Sequence, residues 1–317
     1  MITYRTYNDK DYAKYKTFCE RNWGKFCHQS KHKHIKWLLS YPSHFINIAV
    51  DAEKILGCFH GFHAPVKISE KTEYFYSLHD LMVDKDHRSG IGLKLMQNSI
   101  FQDRPVILSG VLEEVSKAYR SLGAKKFKSH WYRKFIFPKN IHNSYLINFQ
   151  KVQSYQQKVN FDLVNNKEES SRIKIEEILD LYDYSNSISK YFEWRFFHQL
   201  SPLTFFMSHD KNIILFSLGR KKFVSFLRII SVIKSDDEVF IQMLKALEKF
   251  SSLIGASFIL YTITEDIPPP KQLNYKIYKK IPNSFLYSRE KNNFYNVYVN
   301  GFSTDSGFES YFFNKYA

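Results

Sequence analysis

Cysteine is scarce in this chain. Only Cys19, Cys27 and Cys58 occur in 317 residues, too few and too scattered for a disulfide framework, which suits a reducing cytoplasm. Long apolar runs are missing as well. None approaches the roughly 18 residues of a membrane helix, and the opening MITYRTYNDKD is too polar and charged for a signal peptide. A cytoplasmic protein without a membrane span is therefore expected. Glycine is sparse, at 11 residues. None lies in a GxxxxGK[ST] loop or in a three-glycine dinucleotide fingerprint with an acidic residue about 20 positions on. The absence of G-x-S-x-G removes support for a nucleophile-elbow hydrolase. Cys27, His28, His32 and His34 cluster in sequence but match no standard zinc spacing, so no metal is expected.

What the chain does have is enough apolar material for well-filled cores, with 44% hydrophobic and 17% aromatic residues over a length comfortable for two domains. It is also basic, with a net charge of +15 that is unevenly spread. Residues 1–150 carry 24 Lys and Arg against 13 Asp and Glu, whereas residues 151–317 carry 22 against 18. A basic N-terminal half suits a polyanionic ligand such as a coenzyme or a nucleotide-linked substrate. Nucleic acid is the competing partner, disfavoured by the lack of a long Lys/Arg run.

The stretch EYFYSLHDLMVDKDHRSGIGLKLM, residues 73–96, organises this half. It reads as an apolar strand, a charged turn through Arg88-Ser89-Gly90-Ile91-Gly92, and a helix. Such a turn leaves the first N–H groups of a helix unpaired and pointing one way, with the positive end of the helix dipole behind them. That is a phosphate site. Gly90 and Gly92 would allow close approach of a pyrophosphate, and Arg88 would add charge.

Around this turn the pattern predicts a hairpin over 45–68, a third strand over 73–83, a helix over 91–101 and a short strand at 105–109 parallel to 73–83. A helix over 113–127 ending at the C-cap glycine Gly123 follows, and a strand at 130–137 closes the unit. The motif and this order resemble the GNAT superfamily of N-acyltransferases, whose turn usually reads V-x-P-x-x-R-G-x-G-I-G. Here Lys85 replaces the proline, and one residue is missing between Arg88 and Gly90. Tyr119 and Gly123 match the superfamily's Y-x-x-x-G-F signature, with Ala124 in place of Phe.

The second half echoes the first. Trp194, Pro202 and the β-prone run from Phe205 parallel Trp37, Pro42 and the strand from Phe45. The runs 213–218, 223–233, 237–253 and 256–264 then follow the same element order. The expected fold class is α/β with mixed sheets, as two tandem GNAT-like units: residues 1–140, a linker over 141–160, and a degenerate unit over 161–317. Where the first unit has its glycine pair, the second has Asp236-Asp237-Glu238. Three carboxylates there would repel a pyrophosphate, so the second unit is expected to wall the acceptor pocket without binding coenzyme A.

The resemblance implies transfer of an acyl group, acetyl above all, from coenzyme A to a primary amine of a small molecule such as an amino sugar. An acyl carrier protein is the other donor to consider. The donor would lie between the strands at 73–83 and 105–109, with backbone groups of Leu81, Met82 and Val83 polarising the thioester. The turn residues Arg88, Ser89, Gly90, Ile91 and Gly92 would hold the pyrophosphate. Tyr119 would act as general acid, and Asp80 or His79 as general base. Neighbours on a strand face opposite ways, so only one of the latter pair should face the substrate, with Asp80 favoured. Two other readings stay open. One is a nucleic-acid- or aminoacyl-tRNA-directed protein, a function known for tandem GNAT-like units that normally lack this glycine turn. The other is a non-catalytic interaction module.

Overall fold

A computed structural model describes residues 1–25, 27–68, 71–87, 90–100, 105–111, 113–127, 130–137, 161–166, 189–221, 224–263, 268–277, 283–287 and 297–298. Arg88, Ser89 and the linker at 141–160 lie outside these residues.

The first compact unit takes in residues 1–128 and 282–298. Strand β1 (Ile2–Thr6) leads to a short 3-10 turn at Asp9–Asp11 and helix α1 (Tyr12–Trp23). The entry to α1 is fixed by a capping box: the Asn8 side chain accepts from Lys10 N–H, and Asp11 accepts from Asn8 N–H. Arg5, at the end of β1, grips the same Asp11 through two hydrogen bonds of 2.6 and 2.7 Å. Helix α2 (His32–Leu39) precedes a meander of β2 (Phe45–Asp51), β3 (Lys54–Ile68) and β4 (Lys71–Val83). Helix α3 (Ile91–Ile100), strand β5 (Val106–Val111), helix α4 (Glu113–Ser121) and strand β6 (Lys125–Phe127) follow. The hairpin, the parallel β4–β5 pair and the two helices appear where the sequence pattern predicts them. Helix α4 ends at Gly123 as expected, where the chain turns at φ +90° and Ala124 N–H closes back on the Tyr119 carbonyl at 3.0 Å.

The second compact unit is centred on residues 129–281. It contains β7 (His130–Phe135), β8 (Asp162–Asn165), the helical turn α5 (Ser189–Phe192) and a π-helix at Glu193–Phe197. After these come β9 (Thr204–His209), β10 (Asn212–Lys221), β11 (Val224–Ile233), α6 (Asp237–Ile254), β12 (Phe258–Ile263) and β13 (Lys276–Ile277). Its sheet runs β13-β7-β12-β11-β10-β9-β8, with β11 and β12 parallel as β4 and β5 are. Trp194 precedes β9 as Trp37 precedes β2, so the internal repeat holds at the level of elements.

One expectation is corrected here. The strand at 130–137 does not close the first unit, because β7 pairs with β12 from Ile263↔His130 to Phe258↔Phe135 in the second sheet. The first sheet is completed instead by β14 (Asn283–Tyr287), from late in the chain. It inserts between β5 and β6 and gives the order β1-β2-β3-β4-β5-β14-β6, while β15 (Val297–Tyr298) pairs with the far end of β3. An edge strand with unsatisfied N–H and C=O groups accepts any well-matched strand. Pairing by sequence proximality therefore named the wrong partner.

Candidate active site

The site begins with a fault in the β3–β4 ladder. Cys58 pairs with Met82 and His60 with His79, so one residue of β3 faces two of β4, namely Asp80 and Leu81. This is a β-bulge, and Asp80 sits in it at φ +52°. On the other side of β4, pairing with β5 ends at Leu78↔Leu108, although both strands continue, β4 to Val83 and β5 to Val111. The two strands part just before the bulge. Asp80, Leu81, Met82 and Val83 are all only partly covered there, so backbone polar groups of the bulge are offered to a ligand and not only to the ladder.

The bulge also changes which side chains meet. On a regular strand, His79 and Asp80 would face opposite ways. The left-handed turn at Asp80 swings its carboxylate back, so that Asp80 Oδ2 lies 3.1 Å from His79 Nδ1 while Gln29 Nε2 donates to Oδ1 at 3.0 Å. The expectation that only one of the pair could face the site fails for this reason. Burial pushes the Asp80 carboxyl up, but the hydrogen bond and charge of His79 outweigh it and hold the group well below the usual carboxylate range. An ionised Asp80 fixes His79 with Nδ1–H toward itself, which makes Nε2 the atom able to take a proton.

Beyond the splay, β4 runs into a 3-10 turn at Lys85–His87 and then α3. Asp84 anchors the start of this turn. Its N–H donates to Leu56 O, and its buried carboxylate meets Arg21 Nη2 at 2.6 Å and Lys54 Nζ at 3.2 Å. Gly90 has φ +81°, and a Cβ built on it would meet nothing within 4 Å. Among the described residues the space beside Gly90 at the start of α3 is empty, and there helix geometry leaves the N–H groups of Ile91, Gly92 and Leu93 without partners inside the helix. Gly92 also serves packing. Its Cβ would come within 3.3 Å of Val83 Cγ2, so this glycine lets α3 pack closely on the end of β4. Ile91 is a core residue, packed with Leu78, Leu95 and Leu108.

Tyr119 is 3% exposed, in the same core cluster as Leu108 and Val111 of β5. Burial pushes its hydroxyl well above the ordinary tyrosine range, which keeps it protonated.

The second unit repeats the bulge, since Leu215↔Ser231 and Phe216↔Ile229 leave Ile230 extra on β11. It does not repeat the open helix mouth. Only three residues separate β11 from α6, against seven between β4 and α3. The N-terminus of α6 is capped by its own chain: Asp236 Oδ1 accepts from Val239 N–H at 2.8 Å, and Asn212 Oδ1 accepts from Ser235 and Asp236 N–H at 2.9 and 3.1 Å. Asp237 pairs with Lys234 at 2.7 Å.

Sequence reasoning missed two participants. His44 and His60 gather with His79 on one buried sheet face. Laying β3 against β4 in register would have found the His60–His79 pair, but no short spacing marks it. Of the cysteine–histidine cluster read in sequence, His32 stacks on Tyr12 at 4.2 Å, and His28 packs against His34 at 4.8 Å.

No family model matches the sequence, and no curated protein does. Solved structures do share its architecture. A GCN5-related N-acetyltransferase from Anabaena variabilis superposes with a TM-score of 0.56 at 11% identity, over 90% of this chain and 72% of that one. A second, from Kribbella flavida, gives 0.56 at 10%, over 90% and 70%. A tandem GNAT protein from the clavulanic acid biosynthesis pathway gives 0.54 at 9%, over 92% of this chain and all of that one. At such identities the likeness establishes the fold, and the chain has the tandem GNAT fold. No helix among the described residues is long and apolar enough to cross a membrane.

Proposed function

We propose that the protein is an acyl-CoA-dependent N-acyltransferase, acetyl-CoA being the donor, that modifies a primary amine of a small molecule such as an amino sugar. One observation carries the reading: the β4–β5 splay, opened by a bulge, lies on the strand that leads into an open helix mouth at Gly90. A slot for an extended thiol arm thus adjoins a cluster of N–H donors suited to a pyrophosphate. The second unit, with its short self-capped turn, offers no such mouth.

Acetyl-CoA would supply the acyl thioester. The chain's own groups divide the remaining work. N–H groups of Ile91, Gly92 and Leu93 hold the phosphates, with Arg88 and Ser89 of the same turn assigned there by the motif. Backbone groups of Leu81, Met82 and Val83 along the splay orient the pantetheine and polarise the carbonyl. His79 takes the proton of the acceptor ammonium at Nε2, and Asp80 holds the ring in the tautomer that permits this. Tyr119, kept protonated by burial, is the proton source for the departing thiolate.

Isothermal titration with acetyl-CoA tests the reading, together with release of free thiol in the presence of trial amines. Binding is expected for the wild type and should be lost in Gly90→Val, whose β-branched side chain resists φ +81°. Asp237→Ala, in the second unit, should bind normally. No binding by the wild type would refute the proposal. Binding without thiol release from any amine would favour the non-catalytic module, and a steep loss of tRNA binding with added salt would favour the nucleic-acid reading.

A further inference from the structure

Two adjacent strands of the first sheet, and the residue that leads into a third, present imidazoles to one face. His60 and His79 are cross-strand partners in the β3–β4 ladder. His44 lies two residues before Ile46, the β2 partner of His60, and so shares that face. All three side chains are buried, at 7%, 1% and 5% exposure for His44, His60 and His79. Their rings stand edge to face, as groups directed at a common point do, with centroids 5.8, 5.7 and 5.2 Å apart and interplanar angles of 89°, 61° and 68°. Three imidazoles on a tetrahedral ion, with Zn–N of about 2.05 Å, would place their centroids roughly 5.2 Å apart and their ligating nitrogens roughly 3.4 Å apart. One nitrogen from each ring already lies within 4.8 Å of the others, so small ring rotations close the set.

We propose that His44, His60 and His79 form a Zn2+ site with a fourth position left for water or another small ligand. Its outer partners are in place. Asp80 holds His79 at Nδ1, which directs Nε2 to the ion as a ligating histidine requires. Tyr15 Oη lies 2.7 Å from His60 Nε2, and His60 Nδ1 is buried with no hydrogen-bond partner among the described residues, so Nδ1 is the ligand atom. With Nδ1 on the ion, Nε2–H donates to Tyr15, whose own hydroxyl is directed to Cys58 Sγ at 3.8 Å. Three imidazole ligands suit a borderline ion such as Zn2+ and not Ca2+ or Mg2+, which take oxygen ligands.

This inference does not rest on the acyl-transfer reading. It uses the same His79 Nε2, so a bound ion would occupy the proposed base and slow any transfer. The test is metal binding by the full-length protein. Co2+ should bind at one equivalent per chain with the intense visible absorption of a four-coordinate ion, and Zn2+ should displace it. His44→Ala and His60→Ala should each lose the band, whereas His32→Ala, outside the trio, should keep it. X-ray absorption on the zinc-loaded wild type, which needs no variant to fold, should show three imidazole ligands. The proposal is overturned if the wild type binds neither ion at about 100 µM, a concentration well above that at which three-histidine sites fill. It also fails if absorption spectra show fewer than three imidazoles, or if a folded double variant of His44 and His60 binds as before.

Discussion

Asp80 holds a backbone conformation that costs an ordinary residue about 1–3 kcal/mol, and the strain has a chemical consequence. Without the bulge its carboxylate would leave by the opposite face of the sheet, and His79 would lose the partner that sets its tautomer. Asp80→Asn tolerates the left-handed conformation and preserves the shape, but presents no anion to Nδ1. Turnover should fall about 100-fold or more, with little change in acetyl-CoA affinity, because the group acts through His79. His79→Gln should fall at least as far. Steady-state kinetics of the two variants and of the double variant check the coupling, and independent, multiplicative losses would contradict a dyad. Tyr119→Phe should likewise lower kcat by about 10-fold or more at nearly constant KM. Equal activity would assign the ring to packing, which its place in the core cluster already provides. The sequence made the pair His79-Asp80 visible as candidates but not their meeting, since strand alternation is the rule that a bulge breaks. Nor did it show His44 and His60, which lie 16 residues apart and converge only through strand register.

At the level of elements, the turn between β4 and α3 depends on Asp84. Its carboxylate ties α1 through Arg21 and β3 through Lys54 to the end of β4. Burial pushes Asp84 up, but the hydrogen bond from Lys54 and the charge of Arg21 prevail and lower its pKa. A carboxylate with a depressed folded pKa contributes stability that is fully present above its unfolded value and lost as pH falls through the folded one. Asp84→Asn should therefore cost about 1–2 kcal/mol near pH 7, a figure kept small because both cations are half exposed. The difference from wild type should vanish in strong acid. Urea melts at the two pH values decide it, and a penalty that persists in acid would show a packing defect and not a lost charge. The strand, turn and helix were legible from pattern and spacing, but the packing of Gly92 on Val83 was not, because a missing Cβ does not show in sequence which neighbour comes close. The acidic start of α6 was legible, and in the structure Asp236 caps that helix. One acetyl-CoA per chain is expected, and a titration stoichiometry of two would contradict the reading that the short, self-capped β11–α6 turn offers no second mouth.

At the scale of the whole chain, each sheet is completed by a strand from the other side of the sequence midpoint. The element order of the two halves was readable from periodicity, because each local run carries its own pattern. Strand partnership was not, because β5 and β12 present their hydrogen-bonding edges to any matching segment, near or far in the chain. As a result, the first sheet needs residues 283–287 and the second needs residues 130–135. Dividing the protein at the presumed linker would leave fragment 1–140 without β14, so β5 would lose its ladder from Val106 to Val111 and β6 its partner. Fragment 161–317 would lose β7 from the flank of β12, exposing Ile259 and Tyr261 of a buried strand. Open apolar edges of this kind aggregate. Each fragment expressed alone should be insoluble or lack a cooperative thermal transition, whereas co-expression should return a soluble complex in which both strands find their sheets. Circular dichroism and size-exclusion chromatography provide the readout. A fragment 1–140 that is monomeric, melts cooperatively and binds acetyl-CoA would show that β14 is dispensable and that the first unit folds from its own residues.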